Sequence, residues 1–133
     1  MASWGKISKS RLKTCHPLLQ LVMDKVIQDY DCTIIRYGGF RGEKLQDKLF
    51  NDGKSQVKWP DSKHNNEWEG VPYSLAVDVG PWPLNWEDIS EFKHLAGRIL
   101  QAANDLGIKL NWGGNWKSFK DYPHYELDQS MLD

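Results

Sequence analysis

The segment Ser74-Leu75-Ala76-Val77-Asp78-Val79 restricts the fold more than any other part of the chain. Its side chains alternate: Leu75, Val77 and Val79 share one face, while Ser74, Ala76 and Asp78 share the other. The large apolar face belongs on a hydrophobic core. The other face then sets a carboxylate beside an alanine, which leaves room for an ion and a ligand. Burying an unpaired carboxylate is costly, and a cation is its simplest partner. The competing reading has Asp78 end its strand and cap the turn before Pro81.

The rest of the chain predicts helices around a small sheet. Leu18, Leu19, Val22, Val26 and Ile27 recur at helical spacing after Pro17, so residues 16–28 read as a helix. Cys32 to Tyr37 is β-branched and aromatic and reads as a strand, broken by Gly38-Gly39. A short helix is expected over 43–50, with Gly53 just beyond it, and a long one over 86–106, stopped by Gly107. Its apolar stripe is Ile89, Phe92, Ala96, Ile99, Leu100 and Ala103. Residues 108–112 and 124–127 read as strands, and 51–73 as a long polar loop of the kind that is usually functional. The pattern is α+β, a small antiparallel sheet flanked by helices.

With 133 residues and no linker or repeat, one domain over 1–133 is expected, with no separate second module. A net charge of -1 gives no reason to expect nucleic acid. The basic cluster Lys6, Lys9, Arg11 and Lys13 reads as a solvated loop or helix end. No stretch approaches a membrane span, and the N-terminus has no signal-peptide pattern, so synthesis in the cytosol without membrane insertion is expected. Cys15 and Cys32 are too far apart for a C-x-x-C motif and read as buried free thiols, with a single disulfide as the alternative.

His64, Asp78 and His124 are the set that looks like an open metal site. Two imidazoles and a carboxylate suit one zinc ion and leave its fourth position for water. Asp121, three residues before His124 in a turn fixed by Pro123, is the expected general base and acid. Glu126 shares the His124 face two strand residues away and is expected to orient an imidazole N–H. Arg41 follows Gly38-Gly39-Phe40 and suits an oxyanion or a substrate carboxylate. His16 and His94 read as surface or packing residues.

Several segments together resemble a known family. They are Tyr37-Gly38-Gly39-Phe40-Arg41 with the downstream Gln46 and Gly53, Ser62-Lys63-His64, and Ser74 through Pro83. Trp112-Gly113-Gly114-Asn115-Trp116 and Asp121 through Leu127 complete the set. The chain resembles the M15 peptidases, the zinc D-alanyl-D-alanine carboxypeptidase and L-alanyl-D-glutamate endopeptidase group, most closely its phage endolysin branch. The resemblance implies a fold shared with the zinc domain of hedgehog proteins and hydrolysis of peptidoglycan stem peptides by a monomer. It also implies storage in the host cytoplasm until release to the wall. His64, Asp78 and His124 match the zinc ligands, Asp121 the acid/base and Arg41 the substrate-polarising arginine. Ser62 and Gln46 fall in supporting positions. The stretch from His64 to Asp78 is longer than the family pattern, and Trp68 within it is expected to line the substrate groove. The alternatives are a D-alanyl-D-alanine carboxypeptidase or dipeptidase, and a non-catalytic zinc-binding interaction domain.

Overall fold

Pro17 starts the first long helix because its missing N–H falls where a helix has no internal acceptor. A computed structural model describes residues 2–132. In chain order the elements are α1 (Lys6–Leu12), α2 (Pro17–Ile27), β1 (Cys32–Ile34), α3 (Glu43–Asn51), β2 (Glu67–Trp68) and β3 (Val71–Pro72). They continue with β4 (Ala76–Pro81), α4 (Ile89–Asp105), β5 (Leu110–Trp112) and β6 (His124–Leu127). A four-stranded antiparallel sheet runs in the order β1-β4-β6-β5.

The ring of His16 caps α2 by accepting from the Leu18 N–H at 3.0 Å, and Asp88 caps α4 through the Glu91 N–H. The α2 helix buries Leu19, Val22, Met23, Val26 and Ile27; α4 buries Phe92, Leu95, Ala96, Ile99, Ala102 and Ala103. These stripes form one core with the apolar side of the sheet, where Ile34, Val77, Val79, Tyr125 and Leu127 meet them. Each fully buried aliphatic side chain contributes about 1.5–3 kcal/mol. Ile89 lies outside the stripe and is exposed. His94 is exposed, with its ring 5.3 Å from that of Tyr30, and both cysteines are buried free thiols. No helix among the described residues is long and apolar enough to cross a membrane.

Four local expectations need correction. The basic N-terminal segment forms α1, which buries only Ser8 and Leu12 and so leaves little apolar periodicity. It covers the edge of β1: Ser8 Oγ accepts from the Ile34 N–H at 3.1 Å, and the Arg11 guanidinium donates to the Ile34 carbonyl at 2.9 Å. β1 stops at Ile34 because the chain turns at once, with the Gly38 N–H on the Ile35 carbonyl and Tyr37 at φ 63°. β4 starts at Ala76, since the Ser74 hydroxyl turns back onto the Ala76 carbonyl. The polar stretch 51–73 holds a 3-10 turn at Lys63–Asn65 and the β2–β3 hairpin, which reverses through Glu69 and Gly70, both at positive φ.

Candidate metal centre and active site

Sheet register creates the centre. Asp78 on β4 lies directly opposite His124 on β6, and Ala76 lies opposite Glu126. Cross-strand partners share a face, so carboxylate, imidazole and second carboxylate gather on the side away from the helices, with the small Ala76 between. His64 comes from the 3-10 turn, whose start is fixed by a capping box. The Ser62 hydroxyl accepts from the His64 N–H, and the Asn65 amide oxygen accepts from the Ser62 N–H. The backbone then zips this turn to Arg41, whose N–H donates to the His64 carbonyl at 2.8 Å.

Ligating atoms of His64, Asp78 and His124 all lie within 4.8 Å of one another, and all three residues are buried. The Nδ1–H of His64 donates to the Gly39 carbonyl at 2.8 Å, which leaves Nε2 bare. That Nε2 is 3.4 Å from Asp78 Oδ1 and has no hydrogen-bond partner. His124 turns the other way. Its Nδ1 is 3.2 Å from Asp78 Oδ1 and its Nε2 2.7 Å from Glu126 Oε1. A buried nitrogen without a partner, aimed at a carboxylate and a second imidazole, fits a divalent cation. The donor set of two nitrogens and one oxygen fits zinc chemistry.

Burial opposes ionisation of Asp78, but the His64 and His124 imidazoles outweigh it and hold the carboxyl well below the usual range. Burial likewise opposes the charged form of His124, yet hydrogen bonds to Asp78 and Glu126 raise it to about 9. Below that pH the imidazole carries a proton that a ligand must give up. Cation binding at pH 7.5 is therefore expected to release about one proton. Affinity should rise about tenfold per pH unit until it levels near 9. Calorimetry in buffers of different ionisation enthalpy counts the protons; a count near zero would mean that His124 is already neutral.

Asp121 and Arg41 line the same open cavity as His64, His124 and Glu126, about 630 Å³ in volume. Burial, and then the charge of Asp78, raise the Asp121 carboxyl above its ordinary value. Arg41 donates from Nη2 to Asp78 Oδ2 at 3.1 Å and from Nε to the Tyr37 carbonyl at 2.8 Å. The guanidinium thus braces the carboxylate of the centre while standing at the cavity wall. Gln46 is fully buried behind the turn. Its amide N–H groups hold Ser55 and Val57, and its oxygen accepts from Asn65 at 3.2 Å. Trp68 sits elsewhere: it is 60% exposed on the hairpin, against Tyr73, and does not line the cavity. The hairpin turns it away from the expected groove.

Gly38-Gly39 and Gly113-Gly114 are sites of close approach, where an added side chain would collide with neighbouring atoms. A Cβ on Gly38 would lie 2.9 Å from the Asp78 Cβ. One on Gly113 would lie 2.4 Å from the Asp121 carbonyl oxygen and 3.1 Å from the His124 Cβ. Gly113 also accepts the Asp121 N–H at 3.1 Å, so it sets the turn before β6. Gly113→Ala should cost about 1–3 kcal/mol of stability and depress kcat more than KM, checked by thermal melts and steady-state kinetics. Trp116, with its ring 5.1 Å from that of His124, is a second wall residue that spacing alone did not single out.

The model of the phage L-alanyl-D-glutamate peptidase family matches residues 2–133. The chain belongs to this family. Among its relatives is the L-alanyl-D-glutamate peptidase of Escherichia phage T5, 31% identical over 136 residues, which span 98% of this chain and 92% of that protein. The peptidoglycan L-alanyl-D-glutamate endopeptidase CwlK of Bacillus subtilis is 31% identical over 104 residues, 67% of this chain and 57% of CwlK. The crystal structure of the Serratia marcescens L-Ala D-Glu endopeptidase ChiX superposes with a TM-score of 0.72 at 27% identity, covering 91% of this chain and 86% of that one. As a member of the phage L-alanyl-D-glutamate peptidase family, the protein is a peptidase, and its α+β architecture is that of a solved endopeptidase.

Proposed function

We propose that this peptidase cuts the L-alanyl-D-glutamate bond of peptidoglycan stem peptides with one zinc ion, as a phage endolysin that opens the host wall. The observation that carries the reading is the buried, partnerless His64 Nε2 aimed at Asp78 and His124 on the floor of a cavity that also holds Asp121. Held by His64, Asp78 and His124, a zinc ion would acidify water and polarise a peptide carbonyl.

The remaining work falls to side chains. Asp121 takes a proton from the attacking water and returns it to the departing amine; a carboxyl raised by burial suits both halves of that exchange. Glu126 fixes the His124 ring through Nε2, so that Nδ1 faces Asp78. Arg41 stabilises negative charge growing on the scissile carbonyl oxygen from its place beside Asp78. Gly39, through its carbonyl, keeps the His64 proton on Nδ1. The enzyme is made in the host cytoplasm and works at the wall once released.

Mass spectrometry of purified peptidoglycan digested with zinc-loaded protein, with a chelated sample alongside, tests this. New N-terminal D-glutamate ends that vanish on chelation are expected. Release of D-alanine alone would mean a carboxypeptidase instead.

A further inference from the structure

We infer that the cavity holds its substrate in one direction, with the D-glutamyl side on the Lys54–Lys63 wall and the glycan-bearing L-alanyl side against Trp116 and Phe119. The inference rests on the endopeptidase reading above.

Two stretches of chain that line the cavity differ in chemistry. On one stand Lys54, Ser55 and Lys63. Lys63 is half-buried and immediately precedes His64. Neither lysine makes an ion pair among the described residues. A partly desolvated ammonium without a counter-ion favours an arriving anion. Asp61 lies on this wall too, but it is exposed to water.

The other stretch carries the aromatic residues Trp116 and Phe119. Trp116 packs beside His124, and Phe119 is 73% exposed at the cavity edge with φ 54°. Bulky residues rarely adopt that backbone conformation, and such strain clusters where a site needs a particular side chain in place. The lysine of this stretch that lines the cavity, Lys120, is already occupied. It donates to the Gly114 carbonyl at 3.2 Å and the Trp116 carbonyl at 2.9 Å, which ties the loop together.

The substrate has the same asymmetry. Before the scissile bond come an alanine methyl, a lactyl ether and a sugar ring, uncharged and rich in C–H groups that pack on aromatic faces. After it comes D-glutamate, which continues through its side-chain carboxyl and leaves its α-carboxylate free. Charge complementarity therefore places that carboxylate at Lys63 and the sugar at Phe119.

The test uses zinc-loaded protein and four synthetic stem peptides, with or without the muramyl sugar and with D-glutamate or neutral D-isoglutamine. Wild-type protein should prefer the sugar-bearing and the D-glutamate substrates in kcat/KM. Lys63→Met should cut the preference for D-glutamate about tenfold while the sugar preference survives. Phe119→Gly should cut the sugar preference about threefold to tenfold while its Tm holds or rises, because glycine relieves the positive φ. A merely structural Phe119 would lower Tm and all four rates together, which would overturn the assignment. So would exchanged phenotypes, with Lys63→Met losing the sugar preference. If wild-type protein cut none of the four, the endopeptidase reading itself would fall, and the orientation with it.

Discussion

Asp121→Ala is expected to lower kcat by about 10² to 10⁴-fold while zinc still binds with near wild-type affinity. The carboxylate lines the cavity outside the ligand set, and its backbone supports the turn that delivers His124: its carbonyl accepts the His124 N–H at 3.2 Å. Alanine keeps that backbone contact, so the loss should be chemical and not structural. Zinc titration by calorimetry and turnover on purified wall, run on the same preparation, separate the two. If Asp121→Ala cut the wall at a near-normal rate, the proton-transfer role would be wrong. If it lost zinc instead, Asp121 would be a ligand.

His124→Ala should abolish both properties. It removes one of the three proposed ligands and breaks two contacts at once, Nδ1 to Asp78 and Nε2 to Glu126. Losing only a hydrogen bond behind a metal ligand typically costs about 10- to 100-fold in affinity, and removing the ligand itself should exceed that. Turnover should fall to background. Zinc-dependent thermal stabilisation provides a second readout: a variant that no longer binds gains no Tm from added zinc. Retained stabilisation by zinc in His124→Ala would place the ion elsewhere.

Sequence and structure agree where local pattern determines the outcome. Helical spacing from Leu18 to Ile27 located α2 to within a residue at each end, and the alternation of His124 to Leu127 located β6. The apolar and small faces of β4 follow from alternation too, although both are buried because the site itself covers the second. The clustering of His64 with Asp78 and His124 was legible because carboxylates and imidazoles are rare on strands with an apolar opposite face. What sequence cannot carry is registry. That Asp78 faces His124, and that Glu126 reaches the far nitrogen of the same ring, depends on pairing between segments 46 residues apart. Arg41 resting on Asp78, Gly113 making space for Asp121, and Trp116 beside His124 are likewise tertiary facts. α1 escaped notice because Leu12 is its only buried apolar side chain, and Ser8 and Arg11 bond β1 in place of an apolar stripe.

The direct pairing of Asp78 with His124 makes the centre an inspector of the finished sheet. A slip of one residue between β4 and β6 would send one of the two to the opposite face, and no ion could bridge them. With the metal chemistry proposed above, misregistered or half-formed chains are therefore inert by construction, however many of their other elements are in place. Under the endolysin role proposed above, catalytic competence and completed assembly become a single event.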